Sequence, residues 1–424
     1  MFNKIKKAIK KAMKPVIKPL LLRIRLIIKE ELHDFYYHNI IEAKCTAAEL
    51  IDEIDGIQLN SETDARDHSI GINTVVQRGE VTLQELVQLQ NEADEYALSV
   101  CKQIDQYKNV ENMHELPEIF HYWSTSYLRP KVFDVFDIKP PFSLYLKVAI
   151  QASQLQKGES ATSLSILSLG SGYATEEIRL ANLLKKKNID FSLECMELSP
   201  ILCQRARQSV EEQGLGNVSV TECDLNKSEL PSKKFDLIMA NHSLHHILDL
   251  EHVFEQISLS LKPTGYFATC DMIGRNGHMR WDEVLKWVNT FWGILDESKK
   301  YNHQLKRLEE QYDNWDCSIE GFEGIRAQDI LPLLIRKFDF VSFLGYGGVI
   351  DPFIERNFGH NYSVDNVEDT RFIDTLEFLN DYLLETGVIK PTMMWAVMKN
   401  KSINPPECKF YKNLSPEFCV RLCD

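Results

Sequence analysis

The stretch Ile166-Leu-Ser-Leu-Gly-Ser-Gly-Tyr-Ala-Thr175 decides the fold of this chain, because a short apolar run leads directly into two glycines and then into helix-forming sequence. Such a pattern predicts a strand, a tight turn and the beginning of a helix. Gly170 and Gly172 lack the Cβ atoms that would keep a ligand away from the backbone, and both tolerate a positive φ. The following helix offers unpaired N–H groups to a polar or anionic ligand. The sequence therefore predicts a ligand-binding turn at residues 170–172.

Three further apolar runs follow this turn, and polar residues mark the end of each. They are Phe191–Glu197, Val218–Cys223 before Asp224, and Phe235–Ala240 before Asn241 and His242. Ligands of open α/β sheets bind at the carboxyl ends of the strands, which is where these polar residues fall. Glu197 lies at about the separation at which a βαβ unit brings an acid to a ribose, so we predict that Glu197 binds a ribose.

With these motifs, residues 140–275 resemble the class I S-adenosylmethionine-dependent methyltransferases. The resemblance implies an α/β, Rossmann-like fold with a seven-stranded, mostly parallel sheet, and S-adenosyl-L-methionine as the cofactor. It implies that the glycine turn lies under the methionine and ribose, that the residues after strand three bind adenine, and that those after strand four lie beside the methionine. The implied cofactor-binding residues are Gly170, Ser171, Gly172, Glu197, Leu198, Asp224, Leu225, Asn241 and His242.

Two positions depart from the family pattern. Ser168 stands where the family often has an acid, so it can hydrogen-bond the cofactor's amino group but supplies no countercharge. Ala174 stands where a third glycine is common, and alanine still permits close approach. NAD is the alternative ligand of such a turn, but its G-x-G-x-x-G pattern fails because residue 175 is Thr. A Rossmann domain that has lost its ligand is the other alternative.

Catalysis of methyl transfer requires little beyond holding donor and acceptor in line, unless the acceptor must lose a proton. A hydroxyl acceptor must lose one, and a carboxylate acceptor need not. Because histidine titrates nearest neutrality, we predict His245 or His246 as the base, with a structural role at the helix start as the alternative. His360 is a third candidate, and Asp271 and Glu323 are carboxylate alternatives.

The cysteines give little indication of a metal site. The tail holds three thiols, Cys408, Cys419 and Cys423, without a nearby histidine, which is an incomplete zinc set. We therefore expect no metal ion. Ten cysteines in a chain without a recognisable secretory signal indicate a reducing compartment, so we expect a cytoplasmic protein.

Charge is distributed unevenly along the chain. Residues 1–29 hold ten Lys or Arg and no acid, which leaves 38 basic against 62 acidic residues elsewhere. The acidic body should repel nucleic acid, so no nucleic-acid partner is expected. In the arm, apolar residues recur at helical spacing among lysines, which predicts peripheral contact with the inner face of a membrane. The alternative is a basic arm that packs on the protein's own acidic body.

The remaining sequence completes the predicted organisation. Leu261–Ala268 reads as a turn that leads into strand five, which ends at Cys270 and Asp271, and Phe338–Phe343 and Thr392–Met398 read as strands six and seven. The family resemblance implies that strand seven is antiparallel. A helix is predicted at about 368–386. The aromatic-rich segment 117–145 either covers the cofactor site or packs in the core, and the glycine-rich loop 345–361 is a candidate for acceptor recognition. The predicted divisions are a basic arm (1–38), a mainly helical region (39–150), a cofactor-binding core (151–275), a helical insertion or acceptor lid (276–336), the sheet-closing strands with an inserted loop and helix (337–400), and a tail (401–424).

These features together predict a methyltransferase that acts on oxygen. The basic arm and the large insertions on the acceptor side favour a sugar, a glycan or another small-molecule hydroxyl or carboxyl acceptor. One alternative is methylation of a secondary metabolite. Another is a non-catalytic scaffold that binds the cofactor and docks to a membrane through its arm.

Overall fold

The structure is a computed structural model that describes residues 96, 99–100, 102–104, 116–141, 143–155 and 163–421, without the side chain of residue 320. All of them belong to one compact unit, Glu92–Asp424. The arm predicted at 1–38 and most of the helical region predicted at 39–150 lie outside the described residues.

Within the described residues, an eight-stranded sheet forms the centre of the fold. Its strands are β1 (Leu164–Leu169), β2 (Phe191–Glu197), β3 (Val218–Glu222), β4 (Phe235–Asn241), β5 (Leu261–Met272), β6 (Phe338–Tyr346), β7 (Met393–Asn400) and β8 (Lys409–Phe410). The helices are α1 (Glu118–Trp123), α2 (Arg129–Phe136), α3 (Leu144–Leu155), α4 (Thr175–Lys186), α5 (Pro200–Glu212), α6 (Leu250–Ser260), α7 (Asp282–Trp292), α8 (Ala327–Lys337), α9 (Asp351–Ile354), α10 (Val367–Glu385) and α11 (Pro416–Cys419). None of these helices is both long enough and apolar enough to cross a membrane.

The sheet has the strand order β8-β6-β7-β5-β4-β1-β2-β3. β7 is antiparallel to both of its neighbours, and all other pairs are parallel. The predicted α/β, Rossmann-like class is confirmed, as is the antiparallel strand seven. The two-residue strand β8, which pairs with the outer edge of β6, brings the count to eight instead of the predicted seven.

The central strands are apolar on both faces, because helices cover both sides of a parallel sheet. Every residue of β4 from Phe235 to Ala240 is buried. Asp236 is the charged residue in this run, and its carboxylate accepts a hydrogen bond from the Ser165 N–H at 2.9 Å and pairs with Lys262 at 2.7 Å. Asp236 lies at the amino end of β4, so its partners fix the strand at the edge opposite to the one where ligands bind.

Three aromatic residues from the first part of the aromatic-rich segment contact α10. The hydroxyls of Tyr122 and Tyr127 donate to Asp374 at 2.8 and 2.6 Å. The indole N–H of Trp123 donates to buried Glu377 at 2.8 Å. These contacts favour the packing alternative for this part of the segment. Tyr145 instead contacts Asn241 at the end of β4.

The insertion after β5 contains more than the predicted helices. Between α7 and α8 the chain forms a small hairpin, Tyr301–Asn302 paired with Arg307–Leu308, which the sequence analysis does not predict. The glycine-rich loop after β6 is fixed at its start by buried Asp351, which accepts a hydrogen bond from Thr392 at 2.5 Å and lies 3.7 Å from Arg280. A role of this loop in acceptor recognition stays a prediction.

Candidate active site

The glycine turn between β1 and α4 has the backbone that the sequence predicts. Gly170 and Gly172 have φ values of 65° and 54°. The N–H groups of Gly170 and Ser171 donate to the Met196 carbonyl at 2.8 and 3.1 Å, which ties the turn to the end of β2. A Cβ on Gly170 would lie 2.5 Å from the Cβ of Ser243, whereas a Cβ on Gly172 would meet no atom within 4 Å. The missing side chain of Gly170 thus lets Ser243 pack against the turn, and Gly172 faces open space where a ligand can approach the backbone.

The Glu197 carboxylate lies directly against this turn. Its Oε2 accepts the Gly172 N–H at 2.8 Å, and its Oε1 accepts the Ser199 N–H at 2.8 Å. Burial raises the pKa of Glu197, and the hydrogen bonds from Ser199 and Gly172 oppose that increase. The structure therefore places this side chain beside the turn, where we predict the ribose. Its binding role stays a prediction.

A second buried acid lies below the turn. The Ser168 hydroxyl donates to the Glu177 carboxylate at 2.6 Å, and both residues are almost fully buried. Burial raises the pKa of Glu177 to about 7. The carboxylate that the family often has at the position of Ser168 is thus present beside it, supplied by α4. Glu177 is not among the predicted site residues, although an acid in the first turn of the helix after the glycines could have indicated it.

The predicted adenine-binding acid already has partners in the chain. The Tyr96 hydroxyl lies 2.9 and 2.8 Å from the two oxygens of Asp224, and the Asn226 N–H donates to Oδ1 at 3.0 Å. Leu225 packs against the main core. A residue from before the sheet therefore reaches the adenine end of the predicted site, which no local motif indicates.

Leu198 packs on a small separate apolar cluster. The cluster consists of Val100, Ile104 and Phe322, with Tyr96 and Leu198 packed against it. The rings of Tyr96 and Phe322 are 5.5 Å apart. Side chains from before the sheet and from the insertion after β5 thus meet at Leu198.

Asn241, the last residue of β4, and His242, the next residue, have different partners. Asn241 accepts a hydrogen bond from the Tyr145 hydroxyl at 3.0 Å, so the aromatic-rich segment does reach the site at this residue. His242 has a φ of 51° and is exposed, and its Nε2 lies 3.5 Å from the sulfur of Cys270. Both residues therefore lie at the carboxyl edge of the sheet, as predicted.

A group that we call the histidine cluster lies just beyond them and consists of His245, His246, His278, Asp271 and Glu323. His245 Nδ1 is 2.6 Å from Asp271 Oδ1, and His278 Nε2 is 2.6 Å from Glu323 Oε1. His245 Nε2 is 3.6 Å from Glu323 Oε1, and His246 Nδ1 is 3.7 Å from Glu323 Oε2. The structure thus brings together two predicted histidines and both predicted carboxylates.

Asp271 fixes the position of the turn that carries His245. Its Oδ2 accepts the N–H groups of Ser243 and Leu244 at 2.9 and 2.8 Å, while its Oδ1 lies against His245 Nδ1. Asp271 is fully buried. Because one carboxylate contacts both the backbone and the ring, the His245 imidazole has a defined orientation with Nε2 directed toward Glu323.

Electrostatic interactions in the cluster shift the pKa values in opposite directions. Burial alone would lower the pKa of His245, but the carboxylates of Asp271 and Glu323 outweigh it and raise that pKa to about 10. Burial and the neighbouring His245 lower the pKa of His246 to about 3. Burial raises the pKa of Glu323, but hydrogen bonds to His245 and His278 outweigh it and lower that pKa strongly. At neutral pH His245 is therefore an imidazolium between two carboxylates, and His246 is neutral.

His360 is not part of this cluster. It lies on the 3₁₀ turn Gly359–Asn361, is exposed, and has its ring 5.2 Å from that of His303. His360 is predicted because it lies in a polar loop, whereas His278 is not among the predicted site residues. The segment that carries His278 shows no periodicity or metal-binding spacing that would have singled it out.

A comparison with known families identifies this part of the chain. Residues 161–321 match the family model described as a methyltransferase domain. This segment is a class I S-adenosylmethionine-dependent methyltransferase domain. The predicted family, enzyme class and cofactor are thereby confirmed. The matched segment includes the glycine turn, the ends of β2 to β5, and His245 and His278, and it ends just before Glu323.

Solved structures of methyltransferases show weaker similarity to the chain. A SAM-dependent methyltransferase from Aquifex aeolicus is 20% identical, with 34% of this chain and 68% of that chain covered and a TM-score of 0.24. A SAM-dependent methyltransferase from Mesorhizobium loti is 14% identical, with 60% and 98% covered and a TM-score of 0.32. A geranyl diphosphate C-methyltransferase from Streptomyces coelicolor is 13% identical, with 62% and 86% covered and a TM-score of 0.32.

Proposed function

We propose that this methyltransferase methylates a hydroxyl oxygen of a sugar, a glycan or another small molecule. The observation that carries the proposal is the position of the histidine cluster at the carboxyl ends of β4 and β5, next to the glycine turn. Ser243 links the two sites, because its hydroxyl donates to the Leu169 carbonyl at 2.7 Å while its N–H donates to Asp271. The histidine cluster, with its neutral His246, therefore lies beside the predicted cofactor-binding turn.

The residues around the turn suit S-adenosylmethionine. The open space above Gly172 leaves room for a ligand against the backbone, and the Glu197 carboxylate beside it suits a pair of ribose hydroxyls. We assign Asp224 to the adenine amine and Asn241 to the methionine end. The cofactor supplies a methyl group activated by a sulfonium.

The protein's part in the reaction is then to position the acceptor and to take its proton. The acceptor oxygen forms a bond to the methyl carbon while the carbon–sulfur bond breaks, which leaves a methyl ether and S-adenosylhomocysteine. The hydroxyl proton passes to His246, because His245 already carries a proton at neutral pH. Positioned general bases contribute about 10²- to 10⁴-fold to such reactions. A carboxylate acceptor would need no base, and for that reason we favour a hydroxyl.

A screen with methyl-labelled S-adenosylmethionine tests this proposal. The full chain is incubated with a panel of monosaccharides, nucleotide sugars, phenols and carboxylic acids, and labelled products are treated with base. A methyl ether survives base and a methyl ester does not, so base-labile label would contradict the hydroxyl assignment. His303→Ala is a matched control for His245→Ala and His246→Ala, because His303 is a histidine outside the cluster that contacts Asn361.

We further propose that the basic arm holds the enzyme at an anionic membrane surface. The support is the run of ten basic residues without an acid in residues 1–29, which lie outside the described residues. Each basic residue near an anionic leaflet contributes about 1 kcal/mol. We expect the full chain to float with anionic vesicles but not with neutral ones, and a chain without residues 1–29 to float with neither. Equal flotation of both chains would contradict the proposal.

A further inference from the structure

We propose that the histidine cluster contains a binding site for a divalent transition-metal ion, formed by His245 Nε2, His278 Nε2 and a carboxylate oxygen of Glu323. Ligand atoms of these three residues all lie within 4.8 Å of one another. Two imidazoles and one carboxylate form a ligand set that suits Zn²⁺, Fe²⁺, Mn²⁺ or Co²⁺ better than Ca²⁺ or Mg²⁺. This site differs from the tail thiols, which are the metal ligands that the sequence analysis considered.

The three ligands come from three segments that backbone hydrogen bonds tie together. The Ile325 N–H donates to the His245 carbonyl at 3.1 Å, and the Gly277 N–H donates to the Gly324 carbonyl at 2.8 Å. Gly324 also lies so close to His278 that a Cβ there would come within 2.9 Å of the ring. The first bond ties His245 to the segment that carries Glu323, and the second ties that segment to the one that carries His278. The backbone therefore holds the three ligands in place.

His245 has the support that metal-binding histidines commonly have. Asp271 contacts its Nδ1 at 2.6 Å and accepts two backbone N–H groups, so the carboxylate cannot easily turn away. Metal-ligating histidines nearly always pair their other nitrogen with a carboxylate or a carbonyl, which fixes the ring and directs the free nitrogen at the ion.

The distances require only small movements to accept an ion. Zinc bonds to nitrogen and oxygen are about 2.0–2.2 Å long, so neighbouring ligand atoms in a tetrahedral site are about 3.3–3.5 Å apart. His245 Nε2 and Glu323 Oε1 are already 3.6 Å apart, and His278 Nε2 must move away from Glu323 from its present 2.6 Å. The side chains of His278 and Glu323 are 21% and 20% exposed, which leaves a route for the ion. Three protein ligands leave one position of a tetrahedral ion open.

The chemical role of the ion rests on the proposed function, whereas ion binding itself does not. An ion with open positions binds the acceptor hydroxyl and lowers its pKa, as metal ions do for bound water. His245 releases its Nε2 proton to solvent when it binds the ion, so Nε2 is a ligand and not the base. The proton of the acceptor hydroxyl passes to His246 beside Glu323. The acceptor oxygen still forms its bond to the methyl carbon as the carbon–sulfur bond breaks.

Ion binding is tested on the full chain without cofactor or acceptor. Mn²⁺ is titrated and followed by loss of the free-ion electron paramagnetic resonance signal, and Co²⁺ is followed by its absorption spectrum, which separates imidazole and carboxylate ligands from thiolates. We expect one ion per chain, and at least tenfold weaker binding in His278→Ala and in Glu323→Gln. His303→Ala is the control and should bind as the wild type does. Binding of S-adenosylhomocysteine reports whether each variant is folded.

The outcomes separate this inference from the proposed function. If the wild-type chain binds neither Mn²⁺ nor Co²⁺, the site does not exist, and no variant is needed to show it. Undiminished binding in both folded variants, or a thiolate spectrum with Co²⁺, would place the ion elsewhere and overturn the assignment. Ion binding without methylation of any hydroxyl acceptor would contradict the proposed function alone. Hydroxyl methylation by a chain that binds no ion would contradict the metal site alone.

Discussion

The cofactor end of the site and the histidine cluster are built in different ways. At the predicted cofactor end, the backbone N–H groups of Gly172 and Ser199 contact Glu197, and all of these groups lie within residues 170–199. In the cluster, side chains from positions as far apart as 245 and 323 contact one another. The first arrangement follows from a local motif, whereas the second depends on how the insertion after β5 folds back over the sheet.

This difference means that binding and turnover should respond separately to mutation. Changes at the glycine turn should reduce cofactor affinity. Changes in the histidine cluster should leave that affinity intact and reduce methyl transfer. Variants that affect both ends equally would show that the two regions form one unit.

Asp271→Asn should have the largest effect, on the cluster side. The substitution keeps the shape but removes the charge that orients His245, so methyl transfer should fall about 10³-fold, within the range of positioned acid–base groups. Binding of S-adenosylhomocysteine should stay within about threefold of wild type, since its predicted contacts lie at the turn. The measurements are single-turnover methylation, with an acceptor from the screen, and calorimetry.

Asp236→Asn is the matched control for this variant. Asp236 is also a buried acid with a backbone donor and a cation as partners, but it lies at the opposite end of β4. We expect it to lower stability and to leave the turnover of the folded protein unchanged. If both variants lose turnover to the same extent, the effect of Asp271 is structural and the separation of the two regions fails.

Glu177→Gln should change the pH dependence of stability, on the cofactor side. Burial raises the pKa of Glu177 from 4.5 to about 7, so the folded state binds its proton more tightly than the unfolded state does. The contribution is fully present below about pH 4.5 and is lost as the pH rises to about 7, a loss of about 3 kcal/mol. Gln mimics the protonated acid and can still accept the Ser168 hydrogen bond. The variant should therefore be the more stable protein above about pH 7 and equal to wild type below about pH 4.5.

Urea unfolding of both proteins across this pH range measures the difference. Glu176→Gln is the control, because Glu176 is on the same helical turn but is partly exposed and pairs with Arg179. It should leave the pH dependence close to that of wild type. A Glu177→Gln curve parallel to the wild-type curve would show that folding does not raise the pKa of this carboxyl.

Much of the fold could be predicted because its signals are local. The strands β2 and β4 begin at the predicted residues, and α10 lies within one residue of the helix predicted at 368–386. Each of these elements has an apolar run or stripe bounded by polar or turn residues. The eighth strand could not be predicted, because a two-residue pair has no period of its own. The hairpin at 301–308 is equally short.

The site shows the same limit at the level of single residues. The turn follows β1, Glu197 ends β2, and the pair His245 and His246 comes shortly after β4, so their position is visible in the sequence. His278 and Tyr96 carry no such signal, since each reaches the site only through contacts made by distant parts of the chain. The same reason explains why the aromatic-rich segment reaches the site through Tyr145 while Tyr122 and Tyr127 contact α10.

Glu197→Ala should have the smallest of the three effects and completes the comparison on the binding side. Removing the carboxylate deletes the predicted ribose contacts and frees the N–H groups of Gly172 and Ser199. A hydrogen bond to a charged group contributes about 2 kcal/mol, so S-adenosylhomocysteine should bind roughly 30-fold more weakly. Glu194→Ala, on the same strand but paired with Lys234 at the surface, should bind normally. If Glu197→Ala keeps wild-type affinity, the acid serves only to hold the turn, and recognition of the ribose belongs to other residues.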